Sequence, residues 1–167
     1  YGENKVQEAV QKWSSLLPKY KEAQLHLVGK LQTNKAKKAI NLFNYIHSLD
    51  NLKLALILDK LEKELNKKCK YFIQINIGDE HQKSGVSLGD FEYFYKDLNL
   101  KTNLNIIGLM CIPPINKNPD EAFSLLRELA NKFNLYELSM GMSSDYLQAI
   151  NHNSTFLRLG TVLFGAR

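Results

Sequence analysis

Residues 138–167 read LSMGMSSDYLQAINHNSTFLRLGTVLFGAR, and this stretch decides the fold. The order is strand end, glycine turn, helix, strand, second glycine turn. Leu138 and Ser139 close a short apolar segment, and Gly141 permits a sharp reversal. Ser143 and Ser144 are placed to cap a helix through Ile150, with Asp145 in its first turn, where the helix dipole favours an anion. Residues 155–159 alternate as a strand does, and Gly160-Thr161 follow at its C-terminal end. Two adjacent strand ends, each carrying Ser or Thr with glycine, make a cradle of hydroxyls and backbone N–H groups. Barrels of the α/β type hold phosphate in this way, after their last two strands. Arg158 lies among apolar neighbours inside the second strand, where a charge needs a partner. A capped helix followed by an ordinary strand-edge arginine is the competing reading.

Outward from this stretch, the chain alternates two periodicities. Residues 3–17 place Val6, Ala9, Val10, Trp13, Leu16 and Leu17 on one helical stripe that Pro18 closes. Further helices are expected over 33–42, capped by Thr33 or Asn34; over 51–65, starting at Asn51; from a Ser87 cap through Leu98; and over 119–133. The stripe of the 51–65 helix is Leu52, Ala55, Leu56, Leu58, Leu61 and Leu65. Strands are expected over 25–28, 45–49, 71–77, 104–110, 136–139 and 155–159, with 71–77 near-continuously apolar, as expected where both faces are covered. Strict alternation with short connections means parallel strands joined by crossover helices.

These are six strands, and a (β/α)8 barrel has eight. Tyr1-Gly2-Glu3-Asn4 also leads straight into a helix, so the sequence reads as starting inside the second βα unit, with about 30–50 residues of the pattern missing. A six-stranded open sheet is expected to expose two edges and an unfilled interior, which invites pairing between chains.

Residues 139–145, SMGMSSD, followed by residues 158–167, RLGTVLFGAR, resemble the C-terminal signature of the pyridoxal-phosphate homeostasis protein family. Its members are single-domain barrels similar to the N-terminal domain of alanine racemase. Further matches fall in the same order along essentially the whole chain. They are Gly2-Glu3-Asn4 with Gln7-Glu8, residues 26–29 (HLVG) with 32–35 (QTNK), residues 74–77 (QINI) with 83–85 (KSG), and residues 108–110 (GLM) with Ile112-Pro113.

The resemblance implies a (β/α)8 barrel that binds pyridoxal 5'-phosphate and serves its homeostasis as a carrier or regulator without dedicated catalysis, delivering to apo-enzymes in the cytoplasm. It implies that Ser143, Gly160 and Thr161 hold the phosphate, that Arg158 faces the pyridine nitrogen, and that Asn4, His26 and Met110 line the surroundings. A guanidinium, with a pKa above about 12, donates a hydrogen bond without giving up its proton, so the ring nitrogen stays neutral and the cofactor is a poor electron sink. The residues alone allow other readings: His26 as a hydrogen-bonded core histidine, Met110 as packing, Asn4 as a helix cap. In the family, the lysine that forms the imine with the cofactor ends the first strand. This sequence has no counterpart to that strand, so no catalytic residue is assigned. Lys35 and Lys83 match family positions near strand ends, where a surrogate imine and a plain solvated lysine are the two readings. Two other functions compete. One is a racemase-like enzyme using the same cofactor, which the absence of a second, β-rich domain after Arg167 disfavours; the other is a remnant without cofactor binding.

Composition narrows the rest. The 167 residues carry 44% hydrophobic and 23% charged side chains, as expected of one soluble globular domain. No apolar run approaches the ~20 residues that span a membrane, and no signal-peptide pattern opens the chain. The net charge of +5 comes almost entirely from lysines mixed with Glu and Asp, with arginine only at Arg127, Arg158 and Arg167, which argues against a nucleic-acid partner. Cys69 and Cys111 are far apart and lack metal-ligand spacing, consistent with a reducing cytosol and no metal site. Dinucleotide, P-loop, zinc-protease and nucleophile-elbow motifs are absent. His47 and His81 have no Ser or Cys nucleophile at a turn beside them, and Asp79-Glu80 reads as a solvated loop before a cation site.

Overall fold

Every strand pairing in the structure, a computed structural model, is parallel. The structure describes residues 1–78, 80, 82–115 and 117–165. The strands are β1 (Gly2–Glu3), β2 (His26–Leu27), β3 (Tyr45–Leu49), β4 (Lys70–Asn76), β5 (Val86–Ser87), β6 (Asn105–Cys111), β7 (Glu137–Met142) and β8 (Phe156–Arg158). Seven of them lie side by side in chain order, β1-β2-β3-β4-β6-β7-β8, and β5 pairs only with β4. The helices α1 (Val6–Leu16), α2 (Ala36–Leu42), α3 (Leu52–Leu65), α4 (Phe91–Lys101), α5 (Pro119–Lys132), α6 (Tyr146–Asn151) and α7 (Thr161–Phe164) alternate with them. This is a nearly closed parallel barrel, and among the described residues β1 and β8 are not paired to each other.

The two strands that the sequence does not announce are β1 and β5. Each is two residues long, too short for a period of two to register. The helix expected from residue 3 therefore starts at Val6. Gly2 and Glu3 pair instead with His26 and Leu27. Glu3 folds back over α1, where its carboxylate accepts hydrogen bonds from Trp13 Nε1 and Lys12 Nζ, each 2.7 Å away. Ser87 likewise belongs to β5. Its hydroxyl accepts from the Asp90 amide, one residue before α4 begins. Asn51 caps α3 as expected, accepting from the Leu54 amide at 2.8 Å. On that helix, Leu54 is fully buried and Leu56 is 44% exposed, so the core stripe is rotated from the expected one.

Strand register sorts side chains to the two faces. Leu27, Ile46 and Tyr71 are neighbours across β2, β3 and β4, and they pack outward against the helices. His26, Tyr45 and Lys70 occupy the alternate positions and face inward. The interior is not unfilled: Tyr45, Phe72 and Met110 are buried there with Ile107 and Phe156 against them, and the Phe72 and Phe156 rings meet edge to face at 5.1 Å. Gly108 lets β6 and β7 come together, since a Cβ there would lie 1.8 Å from the Glu137 carbonyl oxygen. Outside the barrel, Glu62 of α3 is buried and accepts from the Cys69 amide at 2.7 Å, Tyr71 Oη at 2.9 Å and Lys68 Nζ at 2.8 Å, which ties the helix to β4. Burial pushes the Cys69 thiol up to about 11 and that of Cys111 to about 12, so both are protonated at neutral pH. No helix among the described residues is long and apolar enough to cross a membrane.

Candidate functional site

The ends of β7 and β8 build the cradle. Gly141, at φ +93, bends β7 one residue before its end, and a Cβ there would lie 2.6 Å from that of Ala149. The expected serine cap does not form. Residues 143–145 make a turn, Asp145 Oδ1 accepts from the Met142 amide at 2.6 Å, and the helix starts at Tyr146. Ser143 is thereby freed to face β8. Its Oγ accepts from the backbone N–H groups of Gly160 and Val162, each at 3.3 Å. These are first-turn donors of α7, which have no carbonyl partner within the helix. Thr161 is exposed and its hydroxyl has no partner among the described residues. A Cβ on Gly160 would meet nothing within 4 Å, so its backbone is open to approach. Donors, hydroxyls and open space together fit a phosphate.

Arg158 lies behind this cradle with its guanidinium turned into the barrel. Nη1 donates to the Ser139 carbonyl at 2.7 Å and to Ser139 Oγ at 2.9 Å, and Nη2 donates to the Cys111 carbonyl at 2.8 Å. Burial lowers its pKa below the ordinary arginine value. An arginine nevertheless keeps its charge in proteins. The Ser139 hydroxyl is 2.8 Å from His47 Nδ1, and His47 Nε2 is 3.0 Å from His26 Nδ1. His47 stacks on Phe72 with centroids 4.3 Å apart, and His26 stacks on Tyr45 at 4.2 Å. Burial takes the pKa of His47 down to about 3, helped by His26 and Arg158, and that of His26 to about 4, so both rings are neutral.

The structure thus brings Ser143, Gly160, Thr161 and Arg158 together. His26 joins them only through His47 and Ser139, because it starts its strand instead of ending it. Met110 is fully buried and is the register partner of Ser139, so it shares the interior with this group. Asn4 follows β1, at the other end of the strand order from β8, and lines a cleft of about 250 Å³ with Lys30 and Lys35. Its carbonyl sits where a Cβ on Gly29 would lie, 2.1 Å away. Lys83 is held by Glu80 at 2.6 Å, so it is not a free amine. Asp79 and His81 lie outside the described residues, as does Arg167 at the end of the quoted signature. Among the described residues, no three His, Cys, Asp or Glu side chains are grouped to hold a metal. The sequence marks Ser139 only as a strand end and His47 only as lacking a nucleophile at a turn beside it; the structure sets the Ser139 hydroxyl, from inside β7, against that ring. Counting by twos from Tyr45 points His47 inward, but Ser139 takes its facing from its register with Met110 and Phe156, and nothing in the spacing says that the two touch.

The family model described as "Alanine racemase, N-terminal domain" matches residues 1–167. The pyridoxal phosphate homeostasis protein of Synechocystis is 41% identical over 100% of this chain and 80% of its own length. The chain belongs to the pyridoxal phosphate homeostasis protein family. Another member, from Aquifex aeolicus, is 38% identical over 100% of this chain and 76% of its own length. Among solved structures, PipY of Synechococcus elongatus without pyridoxal phosphate superposes at a TM-score of 0.92 with 37% identity, covering 98% of this chain and 80% of PipY. PipY with pyridoxal phosphate bound superposes at 0.87 with 36% identity and the same coverage. Alanine racemase of Clostridium difficile, at 12% identity and a TM-score of 0.74 over 99% of this chain and 44% of the racemase, shares the fold with this family.

Proposed function

We propose that this chain binds pyridoxal 5'-phosphate and serves its homeostasis, carrying the cofactor and passing it to apo-enzymes in the cytoplasm without a dedicated reaction. The observation that carries this reading is the Ser143 hydroxyl against the amides of Gly160 and Val162, with the Arg158 guanidinium fixed behind them. Ser143, Gly160 and Thr161 hold the phosphate, the hydroxyl and amides exchanging their mutual hydrogen bonds for ones to phosphate oxygens. Arg158 donates to the ring nitrogen and retains its proton, so the site does not stabilise negative charge on the ring. When bound, the group supplies an aldehyde that reacts reversibly with amines. Asn4, His26 and Met110 line the surroundings, and no catalytic residue is assigned. Two free, buried cysteines suit a reducing compartment.

The test is titration of the chain with pyridoxal phosphate followed by absorbance, then borohydride reduction and peptide mapping. Saturable binding near one equivalent, weakened in Ser143→Ala, is expected. Labelling concentrated at Lys35 or Lys83 would identify a surrogate lysine. Faint labelling over many lysines, with no saturation, would remove the reading.

A further inference from the structure

The buried polar groups inside the barrel form a chain with only one consistent direction. A guanidinium has donors and no acceptor, so at 2.9 Å Ser139 Oγ must accept from Arg158 Nη1. The serine hydrogen then needs an acceptor. Ser139 is fully buried, and among the described residues its Oγ has one other partner, His47 Nδ1 at 2.8 Å. Were His47 to donate from Nδ1, the serine hydrogen would be left buried without a partner, at a cost of about 1–3 kcal/mol. Nδ1 therefore accepts and the hydrogen of the neutral ring sits on Nε2. That hydrogen is donated to His26 Nδ1 at 3.0 Å, which puts the hydrogen of His26 on its own Nε2. Each link is set by the charge at the Arg158 end.

We propose that Ser139 and His47 are positioning residues for Arg158. With His26 they form a one-directional relay that holds the guanidinium in a single orientation. The rings cannot turn to break it, because His47 lies on Phe72 and His26 on Tyr45, with Phe156 set against His47 at 5.9 Å. Arg158 emerges from a two-carbonyl and one-hydroxyl clamp with both of its terminal nitrogens engaged. The relay rests on the assignment of Arg158 to the cofactor only for its consequence; its geometry stands without a ligand.

The experiment uses nitrogen-15 labelled protein. Histidine side-chain spectra at neutral pH are expected to place the hydrogen on Nε2 of both His47 and His26. Arg158 Nη signals are expected to show slow rotation about the Cζ–Nη bonds. Ser139→Ala should speed that rotation at least tenfold and weaken pyridoxal phosphate binding about tenfold, the worth of roughly one net hydrogen bond. His47→Asn, whose Oδ1 replaces the Nδ1 acceptor, should keep rotation slow and affinity within about threefold. His47→Gln, whose amide replaces only Nε2, should behave like Ser139→Ala, and this pair decides the matter if Ser139→Ala does not fold. A hydrogen found on His47 Nδ1 overturns the relay. Rotation in Ser139→Ala and His47→Gln equal to that of the parent overturns the positioning role. If the parent chain fails to bind pyridoxal phosphate while the tautomers and rotation rates are as stated, the proposed function falls and the relay stands.

Discussion

Ser143 Oγ accepts a hydrogen bond from the Gly160 amide across the gap between the last two strand ends, at 3.3 Å. The contact is long, and Val162 shares the same oxygen at the same distance. Weak bonds at a site are readily exchanged for stronger ones to a charged ligand. Ser143→Ala removes an oxygen that orders both amides. Its pyridoxal phosphate affinity should fall about tenfold, with unfolding free energy changed by less than about 1 kcal/mol because the site is exposed. Fluorescence titration and urea denaturation read the two effects separately. A large stability loss with unchanged affinity would mean that the hydroxyl serves the fold alone.

Arg158 is the opposite case. Arg158→Met strips donors from the Ser139 and Cys111 carbonyls and from the Ser139 hydroxyl. Leaving those groups buried and unsatisfied should lower unfolding free energy by about 2–5 kcal/mol, alongside a loss of cofactor affinity. Urea denaturation monitored by Trp13 fluorescence checks it.

Glycine substitutions should sort by what a new Cβ meets. Gly108→Ala would place it 1.8 Å from the Glu137 carbonyl oxygen and Gly29→Ala 2.1 Å from that of Asn4, both rigid backbone atoms. Each is expected to cost about 1–3 kcal/mol or to block folding. At Gly89 the nearest atom is 4.0 Å away, so Gly89→Ala should be neutral or stabilise by up to about 1 kcal/mol. Melting temperatures of the three variants rank them.

The two inward histidines make stability depend on acid. Their pKa values of about 3 for His47 and about 4 for His26 lie below the unfolded value of about 6.5, so in that interval the unfolded chain binds protons that the folded chain refuses. Stability should therefore decline as pH falls from about 6.5 towards 3, and the part owed to these rings should be constant above neutrality. The urea midpoint measured at each pH should drop less steeply in His47→Asn. Parallel curves for variant and parent would assign the acid sensitivity to other groups.

The barrel was legible because its strands are buried on both faces and its helices on one. Residues 71–77 announce themselves by near-continuous apolar character, and Asn51 by its place before a helical stripe. Gly2–Glu3 and Val86–Ser87 were not legible, since two residues define no period and their pairing comes from neighbours far along the chain. The cradle could be read because Ser143, Gly160 and Thr161 fall in one short stretch. The relay could not: His47 and Ser139 are separated by 92 positions, and only the register of three intervening strand pairings sets them face to face.

Among the described residues the ladder of hydrogen bonds runs from β1 to β8, and its strands curve around the rings of Tyr45, Phe72 and Phe156 and the side chain of Met110. These four side chains act on the sheet as centring acts under an arch: they set the curvature that the strands hold. Trimming any one of them should let the sheet tighten locally without breaking a single ladder bond.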